Sequence, residues 1–341
     1  MRELVLVVSD LFFPEEVPER QWPEGVALPG LQHLTRFGTR AKIEGGWRSW
    51  LARWLTGADA AAPGTVAAAA AQGSRGPMVW MATPVHLVTS LASLHLDRRG
   101  LLRLTADDSI ALSTDFQRVF HDSGFVLEPL DSGDFVLFGP QLTLARELEP
   151  ARLMGVSLAE VQQGNASDPR LRKLGAEIEM WLHEHPVNQG RQRRGEAPVT
   201  GLWLWGAGPA SVQRTRIISS DEAATDIAFG RDAYLQGLWA SSGQKVFPLP
   251  QHLAAVFGYP QARRAALVIE IGSMLHSAPT WTLIDALARI DTDFITPAVE
   301  AIGAARVERL ILLANDRQLA LRVGDRFKLW RRTPTGLSGL Q

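Results

Sequence analysis

A glycine-rich segment follows an apolar run in the second half of the chain. Residues 206–209 (Gly-Ala-Gly-Pro) come directly after residues 202–205 (Leu-Trp-Leu-Trp), which have the composition of a buried strand. Glycines after a strand let backbone N–H groups approach an anion, so this pattern predicts phosphate binding at Gly206 and Gly208. The segment lacks the third glycine of a dinucleotide fingerprint and the Gly-Lys-Ser/Thr of a P-loop. A tight turn after a buried strand is the alternative interpretation.

A local basic cluster, Arg191, Arg193 and Arg194, lies in a stretch predicted to be a polar loop over residues 188–198. Arginine binds phosphates and carboxylates through two parallel hydrogen bonds. Arg191 and Arg194 are therefore candidates for clamping a phosphorylated ligand or an acidic partner. Solvated loop charge is the alternative.

An acidic residue ends the first apolar run. Residues 4–9 (LVLVVS) predict a strand buried on both faces, and Asp10 follows at its carboxyl end, where ligand sites lie in open α/β sheets. The chain has no cysteine, so only His, Asp and Glu remain as side-chain metal ligands. His183 and His185 lie near a predicted helix end. Their spacing of two points them to different sides of the helix, so helix termination is expected rather than a His-Glu-x-x-His zinc site.

The overall composition excludes several function classes. The 341 residues carry 35 Lys and Arg against 36 Asp and Glu, a formal net charge of −1, which argues against a nucleic-acid binder. Since no run of about 18 apolar residues occurs, no membrane span is expected. The lack of cysteine is compatible with a reducing compartment, and we expect a cytoplasmic protein. Trp47, Trp50 and Trp54, at helical spacing, are interpreted as core or interface anchors.

The order of predicted elements indicates an α/β fold. Strands are predicted at residues 4–9, 78–81, 202–205, 245–249, 266–271 and 309–313, and helices at 29–38, 168–182, 234–239 and 281–290. Their alternation predicts a doubly wound, mainly parallel sheet with helices on both faces. A hairpin over residues 125–138 is expected to form a small antiparallel appendage, and a second hairpin is expected around Gly324 and Asp325.

These elements predict four segments along the chain. Residues 1–56 are the first part of the α/β core, 57–77 an Ala/Gly-rich insertion, 78–165 an α+β appendage with its hairpin, and 166–341 the second part of the core with the terminal hairpin. The insertion fits a helix by propensity or a surface loop by its flanking Pro and Gly residues.

Five segments of the chain carry a family resemblance: residues 4–14 (LVLVVSDLFFP), 28–38 (LPGLQHLTRFG), 82–87 (ATPVHL), 177–208 (EIEMWLHEHPVNQGRQRRGEAPVTGLWLWGAG) and 327–332 (FKLWRR). Together they resemble the RpfE-type regulatory proteins of proteobacteria, a family often also labelled phosphoglycerate mutase, and the resemblance covers most of the chain. A weaker likeness extends to the archaeal-type cofactor-independent phosphoglycerate mutases of the alkaline-phosphatase superfamily. It implies an alkaline-phosphatase-like doubly wound fold, two divalent metal ions at the strand tips, and a serine or threonine that becomes phosphorylated.

The resemblance also implies roles for individual residues. Asp10 matches the first metal carboxylate, His276 a later metal ligand, and Asp316 the surviving carboxylate of an Asp-His pair. Gly272 stands where the family has an aspartate, and Ser49 is the candidate nucleophile. Three metal ligands at most are too few for two ions, although one divalent ion such as Mn²⁺, Mg²⁺ or Zn²⁺ is compatible with them.

Three functional hypotheses follow. The first is a regulatory, non-catalytic or degenerate phosphoglycerate-mutase-like protein that binds a small phosphorylated metabolite or a protein partner, with His86 among its ligand-binding residues. The alternative is an active, metal-dependent phosphoglycerate mutase or related phosphoryl-transfer enzyme, with further ligands from residues such as Asp285, Asp291 or Asp293. The third is a protein-interaction subunit that docks through its tryptophans or its arginine loop, and it overlaps with the first.

Overall fold

The computed structural model describes residues 1–11, 27–71, 73, 76–89, 94–142, 148–154, 168–211, 225–314 and 316–327. The chain divides into two compact units. Unit 1 comprises Met1–Ala60, Arg216–Arg231 and Lys245–Gln341, and unit 2 comprises Ala61–Thr215 and Asp232–Gln244. Of the helices that the structure describes, none has the length and apolar character needed to cross a bilayer.

The described residues form twelve strands and ten α-helices. The strands are β1 (Glu3–Ser9), β2 (Thr39–Lys42), β3 (Met78–Thr89), β4 (Leu94–Leu101), β5 (Val126–Pro129), β6 (Phe135–Gly139), β7 (Gly201–Pro209), β8 (Thr225–Phe229), β9 (Val246–Phe247), β10 (Ala262–Glu270), β11 (Arg309–Ala314) and β12 (Arg317–Arg322). The helices are α1 (Pro29–Phe37), α2 (Gly46–Thr56), α3 (Pro63–Ala67), α4 (Ala106–Val119), α5 (Pro169–His183), α6 (Pro186–Arg193), α7 (Ala233–Ala240), α8 (Ile271–Ser277), α9 (Leu283–Ile290) and α10 (Thr296–Gly303).

Unit 1 is built on a seven-stranded sheet with the order β2-β12-β11-β1-β10-β8-β9. The five strands from β11 to β9 are parallel, and β12 and β2 continue the sheet by antiparallel pairing. The apolar side chains of β1 are buried on both faces, as expected for a central parallel strand. Leu4 and Leu6 pack in one core with residues of α1, α9 and α10. The predicted mainly parallel sheet is confirmed.

Unit 2 is built on an antiparallel sheet with the order β4-β3-β6-β5, and β7 pairs with β3. The expected hairpin is confirmed as β5 and β6. α4 and α5 pack against this sheet around Phe116, Leu174 and Ile178. The Ala-rich segment forms α3 and a 3-10 turn over Ala68–Ala70, and Ala67 and Ala68 are buried.

The structure draws the unit boundaries differently from the four predicted segments. Residues 61–77 and 166–215 belong to unit 2, because α3 packs on β7 and β7 pairs with β3 rather than with the parallel strands. The prediction of a polar loop over residues 188–198 is wrong for the first part of that range, which lies in α6. His185 caps this helix, since its Nδ1 accepts the N–H of Val187 at 3.1 Å.

The terminal hairpin around Gly324 and Asp325 is also wrong. β12 pairs instead with β11, and Leu319 and Leu321 join the core of unit 1. Val323–Phe327 is a 3-10 turn, and residues 328–330 lie outside the described residues. Alternating apolar residues specify a strand but not its partner, so the sequence pattern was satisfied by either pairing.

Asp291 caps α1 from a distant part of the chain. The residue before α1, Leu28, has no side-chain acceptor. Asp291 begins a π-helical turn between α9 and α10, and its carboxylate accepts the N–H of Leu31 at 2.7 Å and of Gly30 at 3.1 Å. The hydroxyl of Thr296 donates to the same carboxylate at 2.9 Å. Burial raises the pKa of Asp291, and these hydrogen bonds oppose that shift.

We predict that Asp291→Ala lowers the free energy of unfolding by about 2–3 kcal/mol, because it leaves buried helix N–H groups without an acceptor. Asp291→Asn should cost less, since its amide oxygen still accepts. Urea unfolding followed by circular dichroism measures both. Asp285→Ala is the matched control, because the Asp285 carboxylate accepts the N–H of Thr282 locally, at the exposed start of α9. An equal loss in both Ala variants would contradict the capping role of Asp291.

Candidate functional site

Three polar residues end the two central strands of unit 1 at one edge. β1 and β10 are parallel, with Ser9 in register with Glu270 and Asp10 directly following. All three are more than nine-tenths buried. The carboxyl ends of parallel strands meet at the edge where open α/β sheets bind ligands. We refer to Ser9, Asp10 and Glu270 as the carboxyl-edge cluster.

The backbone of Asp10 is held in the left-handed region, with φ of 61°. Within the described residues, Asp10 and Ala305 are the non-glycine residues with positive φ. This conformation costs an L-residue about 1–2 kcal/mol, although Asp tolerates it better than most. Such strain concentrates at ligand sites, where the surrounding structure holds it in place. Asp10 thus lies at the tip of the first strand, where the sequence predicted it.

Glu270 is the site residue that the sequence interpretation missed. The hydroxyl of Ser273 donates to its Oε2 at 3.2 Å. The Oγ of the neighbouring Ser9 has no hydrogen-bond partner among the described residues. The available signal was a single acidic residue at the end of an otherwise apolar strand. Matching the family pattern directed attention to Gly272 instead, and only the strand register places Glu270 beside β1.

Helix α2 runs antiparallel to β1 along one face of the sheet. Trp54, near its end, donates its Nε1 proton to Glu3 Oε2 at 2.8 Å, at the start of β1. Trp50, one turn earlier, donates to Gln318 Oε1 at 2.8 Å, and Gln318 is level with Val7. The first turn of α2, which contains Ser49, therefore lies towards the carboxyl edge.

Of the residues predicted to bind a metal ion, Asp10 and Asp316 lie just past the carboxyl ends of β1 and β11, whereas His276 lies in a helix. Asp316 follows the tip of β11, and its carbonyl accepts the N–H of Ile43 at 2.7 Å, just before α2. His276 lies in the last turn of α8, the helix that follows β10. Asn315 lies outside the described residues. Within the described parts of the chain, no three His, Asp or Glu side chains group closely enough to hold a metal ion.

Gly206 and Gly208 lie within β7 and not in a loop after it. A Cβ on Gly206 would lie 2.8 Å from Pro63 Cβ, and one on Gly208 would lie 2.4 Å from Thr65 Oγ1. Thr65 also donates its hydroxyl proton to the carbonyl of Pro209 at 2.7 Å. Both interpretations placed the two glycines after the strand, and that placement is wrong, because they lie within it and let α3 pack directly on it. Phosphate binding by Gly206 and Gly208 stays a prediction.

The arginines predicted to clamp a ligand are paired within unit 2. Arg191 is buried, and its Nε donates to the carbonyl of Ala197 at 2.8 Å. Its Nη1 lies 3.2 Å from Glu196 and 3.6 Å from Asp108. Arg194 Nη2 donates to Asp108 at 2.8 Å. Burial lowers the pKa of Arg191 while both carboxylates oppose the shift. Arg191 and Arg194 are therefore paired with carboxylates of the same unit, and their predicted ligand-binding role stays a prediction.

His86 lies in β3, and its side chain makes a hydrogen bond to the backbone. Its Nδ1 lies 2.9 Å from the carbonyl oxygen of Pro198 and donates its proton to that oxygen. This bond ties β3 to the segment that leads into β7. Its predicted ligand-binding role stays a prediction.

His185 is buried and contacts Trp181 of α5 and Asp115 of α4. Its Nε2 is 3.5 Å from Asp115 Oδ2, and Trp181 donates its Nε1 proton to the same oxygen at 2.8 Å. Desolvation lowers the pKa of His185, with Arg118 adding to the effect and Asp115 opposing it. His183 is exposed. The expected helix end is confirmed at His183, with one imidazole packed and one in solvent, while His185 caps the start of α6.

We predict that Gly208→Ala destabilises the protein by about 1–3 kcal/mol, because the added methyl group overlaps Thr65 and Ala62. The matched control is Gly175→Ala in α5, where nothing lies within 4 Å of the new Cβ. That change should stabilise the protein by about 0.5–1 kcal/mol. Thermal unfolding measures both. Weaker phosphate binding by Gly208→Ala with unchanged stability would support a phosphate loop instead.

We predict that stability falls as the pH drops below about 6.5. The folded state holds His185 neutral, while the unfolded chain binds a proton near the ordinary pKa of 6.5. The stability that depends on a neutral His185 is fully present above the pKa of the unfolded chain. It is lost as the pH falls through the lowered pKa of the folded state. Thermal unfolding across this range should show a weaker dependence for His185→Asn, which keeps a capping acceptor. His183→Asn is the control, and an equal effect of the two variants would contradict the assignment.

Comparison with known proteins shows distant similarity to one group of enzymes. No family model matches the chain. A segment of 75 residues is 35% identical to 2,3-bisphosphoglycerate-independent phosphoglycerate mutase 2 of Methanothermobacter thermautotrophicus, and it covers 22% of this chain and 19% of that protein.

Two solved structures are similar over most of their length. The cofactor-independent phosphoglycerate mutase from Thermoplasma acidophilum has 16% identity and a TM-score of 0.42, with 95% of this chain and 90% of that chain covered. The PH0037 protein from Pyrococcus horikoshii has 13% identity and a TM-score of 0.46, with 95% and 89% covered. The chain is thus distantly similar to archaeal cofactor-independent phosphoglycerate mutases.

Proposed function

We propose that unit 1 binds a small phosphorylated metabolite at its carboxyl edge. The protein is then a degenerate phosphoglycerate-mutase-like member of the alkaline-phosphatase superfamily, of the RpfE regulatory type, that binds this ligand without turning it over. The observation that carries the proposal is the contrast at this edge. Asp10 keeps a strained, buried position at the strand tip, while the described residues contain no group of three acidic or histidine ligands.

The two-metal arrangement of that superfamily does not fit the donor set. Two ions about 3.5–4 Å apart need a closed set of carboxylate and imidazole ligands. Asp10 follows Ser9, the register partner of Glu270, whereas Gly272, the second residue of α8, has no side chain that could be a ligand. A single hard divalent cation, which needs one or two carboxylates and keeps bound water, is compatible with this edge.

An active metal-dependent mutase is the second candidate, and Glu270 is the observation that favours it. This buried carboxylate ends β10, the strand paired with β1, and adds one ligand to those that the family resemblance implies. The other proposed ligands have structural roles. Asp285 caps α9, Asp291 caps α1, and Asp293 pairs with His252 and Arg289.

The proposal is tested by calorimetry with Mn²⁺ and with 3-phosphoglycerate, beside a mutase assay, on the wild type and on Asp10→Asn. Asn tolerates the left-handed backbone, so this variant removes the charge and keeps the fold. We expect at most one Mn²⁺ per chain, saturable binding of 3-phosphoglycerate, and no interconversion of 3- and 2-phosphoglycerate. Asp10→Asn should weaken Mn²⁺ binding by about tenfold or more.

Asp285→Asn, at the exposed start of α9, is the control variant and should leave both affinities unchanged. Two bound ions with metal-dependent turnover, both lost in Asp10→Asn, would overturn the non-catalytic proposal in favour of the mutase. An Asp10→Asn protein with wild-type Mn²⁺ and 3-phosphoglycerate affinities would remove the carboxyl edge as the site.

A further inference from the structure

Two cations face each other at the outer end of the unit 1 sheet. Lys42, the last residue of β2, is in register with Arg317, the first residue of β12, and both are exposed. Like charges directly opposite each other in an antiparallel pair are unfavourable. Neither side chain makes an ion pair with a described residue. The pair therefore leaves two positive charges side by side that this part of the chain does not neutralise.

A second cationic pair on the same strand is arranged differently. Arg322, at the other end of β12, is in register with Arg309 of β11. Arg309 Nη1 donates to Glu3 Oε1 at 3.0 Å, so a carboxylate of the protein offsets this pair. A carboxylate therefore offsets the cationic pair at the edge where the parallel strands begin. The Lys42–Arg317 pair differs, because no described carboxylate forms an ion pair with it.

The Lys42–Arg317 pair lies at the same edge as the carboxyl-edge cluster. Arg317 is in register with Ala314, and Ala314 is in register with Val8 on β1. These three residues therefore form one row on one face of the sheet. Two strand spacings of about 4.8 Å separate Arg317 from β1, and Asp10 stands two residues past Val8. A long Arg side chain spans much of that distance.

We propose that Lys42 and Arg317 form an anion subsite that binds an acidic end group, phosphate or carboxylate, of the metabolite held at the carboxyl edge. This inference rests on the proposed function and names the groups that recognise the ligand. Arg presents a fork of donors that matches a phosphate or carboxylate, and Lys adds a second point charge. An anion bound between the two side chains would attract both of them and offset their mutual repulsion.

The test is calorimetric titration with inorganic phosphate and with 3-phosphoglycerate, in low salt, with and without Mn²⁺. The variants are Lys42→Gln, Arg317→Gln and the double variant, and Arg322→Gln is the matched control on the same strand. We expect both ligands to bind the double variant at least about tenfold more weakly, and each single variant to show part of that loss. Arg322→Gln should stay within about twofold of the wild type, since its charge lies at the opposite edge.

Phosphate should also raise the thermal unfolding temperature of the wild type more than that of the double variant. Wild-type affinity in the double variant, with Mn²⁺ binding intact, would overturn the subsite and leave the proposed function standing. Stronger self-association of the double variant than of the wild type, without weaker ligand binding, would overturn the subsite and assign the two charges to edge-strand protection. Absence of phosphate and 3-phosphoglycerate binding in the wild type would overturn both proposals.

Discussion

The arrangement of unit 1 depends on the parallel pairing of β1 between β10 and β11. This strand is apolar on both faces, so it is stable only when buried in the middle of a sheet. Once it is there, its register sets the edge, with Ser9 opposite Glu270 and Val8 opposite Ala314. The site is therefore a consequence of core packing. Hydrophobic burial holds the strands together, and their aligned ends bring separate polar residues to one place.

The helices around this sheet are positioned by polar contacts that lie far apart in sequence. Asp291 ends one helix and caps another, so one carboxylate ties α1 to the α9–α10 segment. Trp50 and Trp54 fix the direction of α2 through hydrogen bonds to Gln318 and Glu3. The contacts of Asp291 hold α1 in place, and those of Trp50 and Trp54 direct the first turn of α2 towards the carboxyl edge.

Unit 2 shows how residues suited to ligand chemistry serve packing instead. Its glycine pair allows α3 to approach β7 closely, and its arginines satisfy carboxylates of the same unit. A buried guanidinium must be paired, and Arg191 finds Asp108 and Glu196. The same residue types would have served a phosphate site equally well, since phosphate and carboxylate present similar acceptors.

The sequence by itself determined the elements whose signals are local. The apolar run of β1, the hairpin of β5 and β6, and α5 with its Asp168 cap were all predictable from periodicity and turn chemistry. The position of Asp10 at a strand tip followed from the same pattern. Tertiary structure alone decided which strands pair, because alternating apolar residues fit more than one partner. It therefore decided that β7 joins the antiparallel sheet, that Glu270 stands beside β1, and that Lys42 faces Arg317, since each depends on register between segments far apart in the chain.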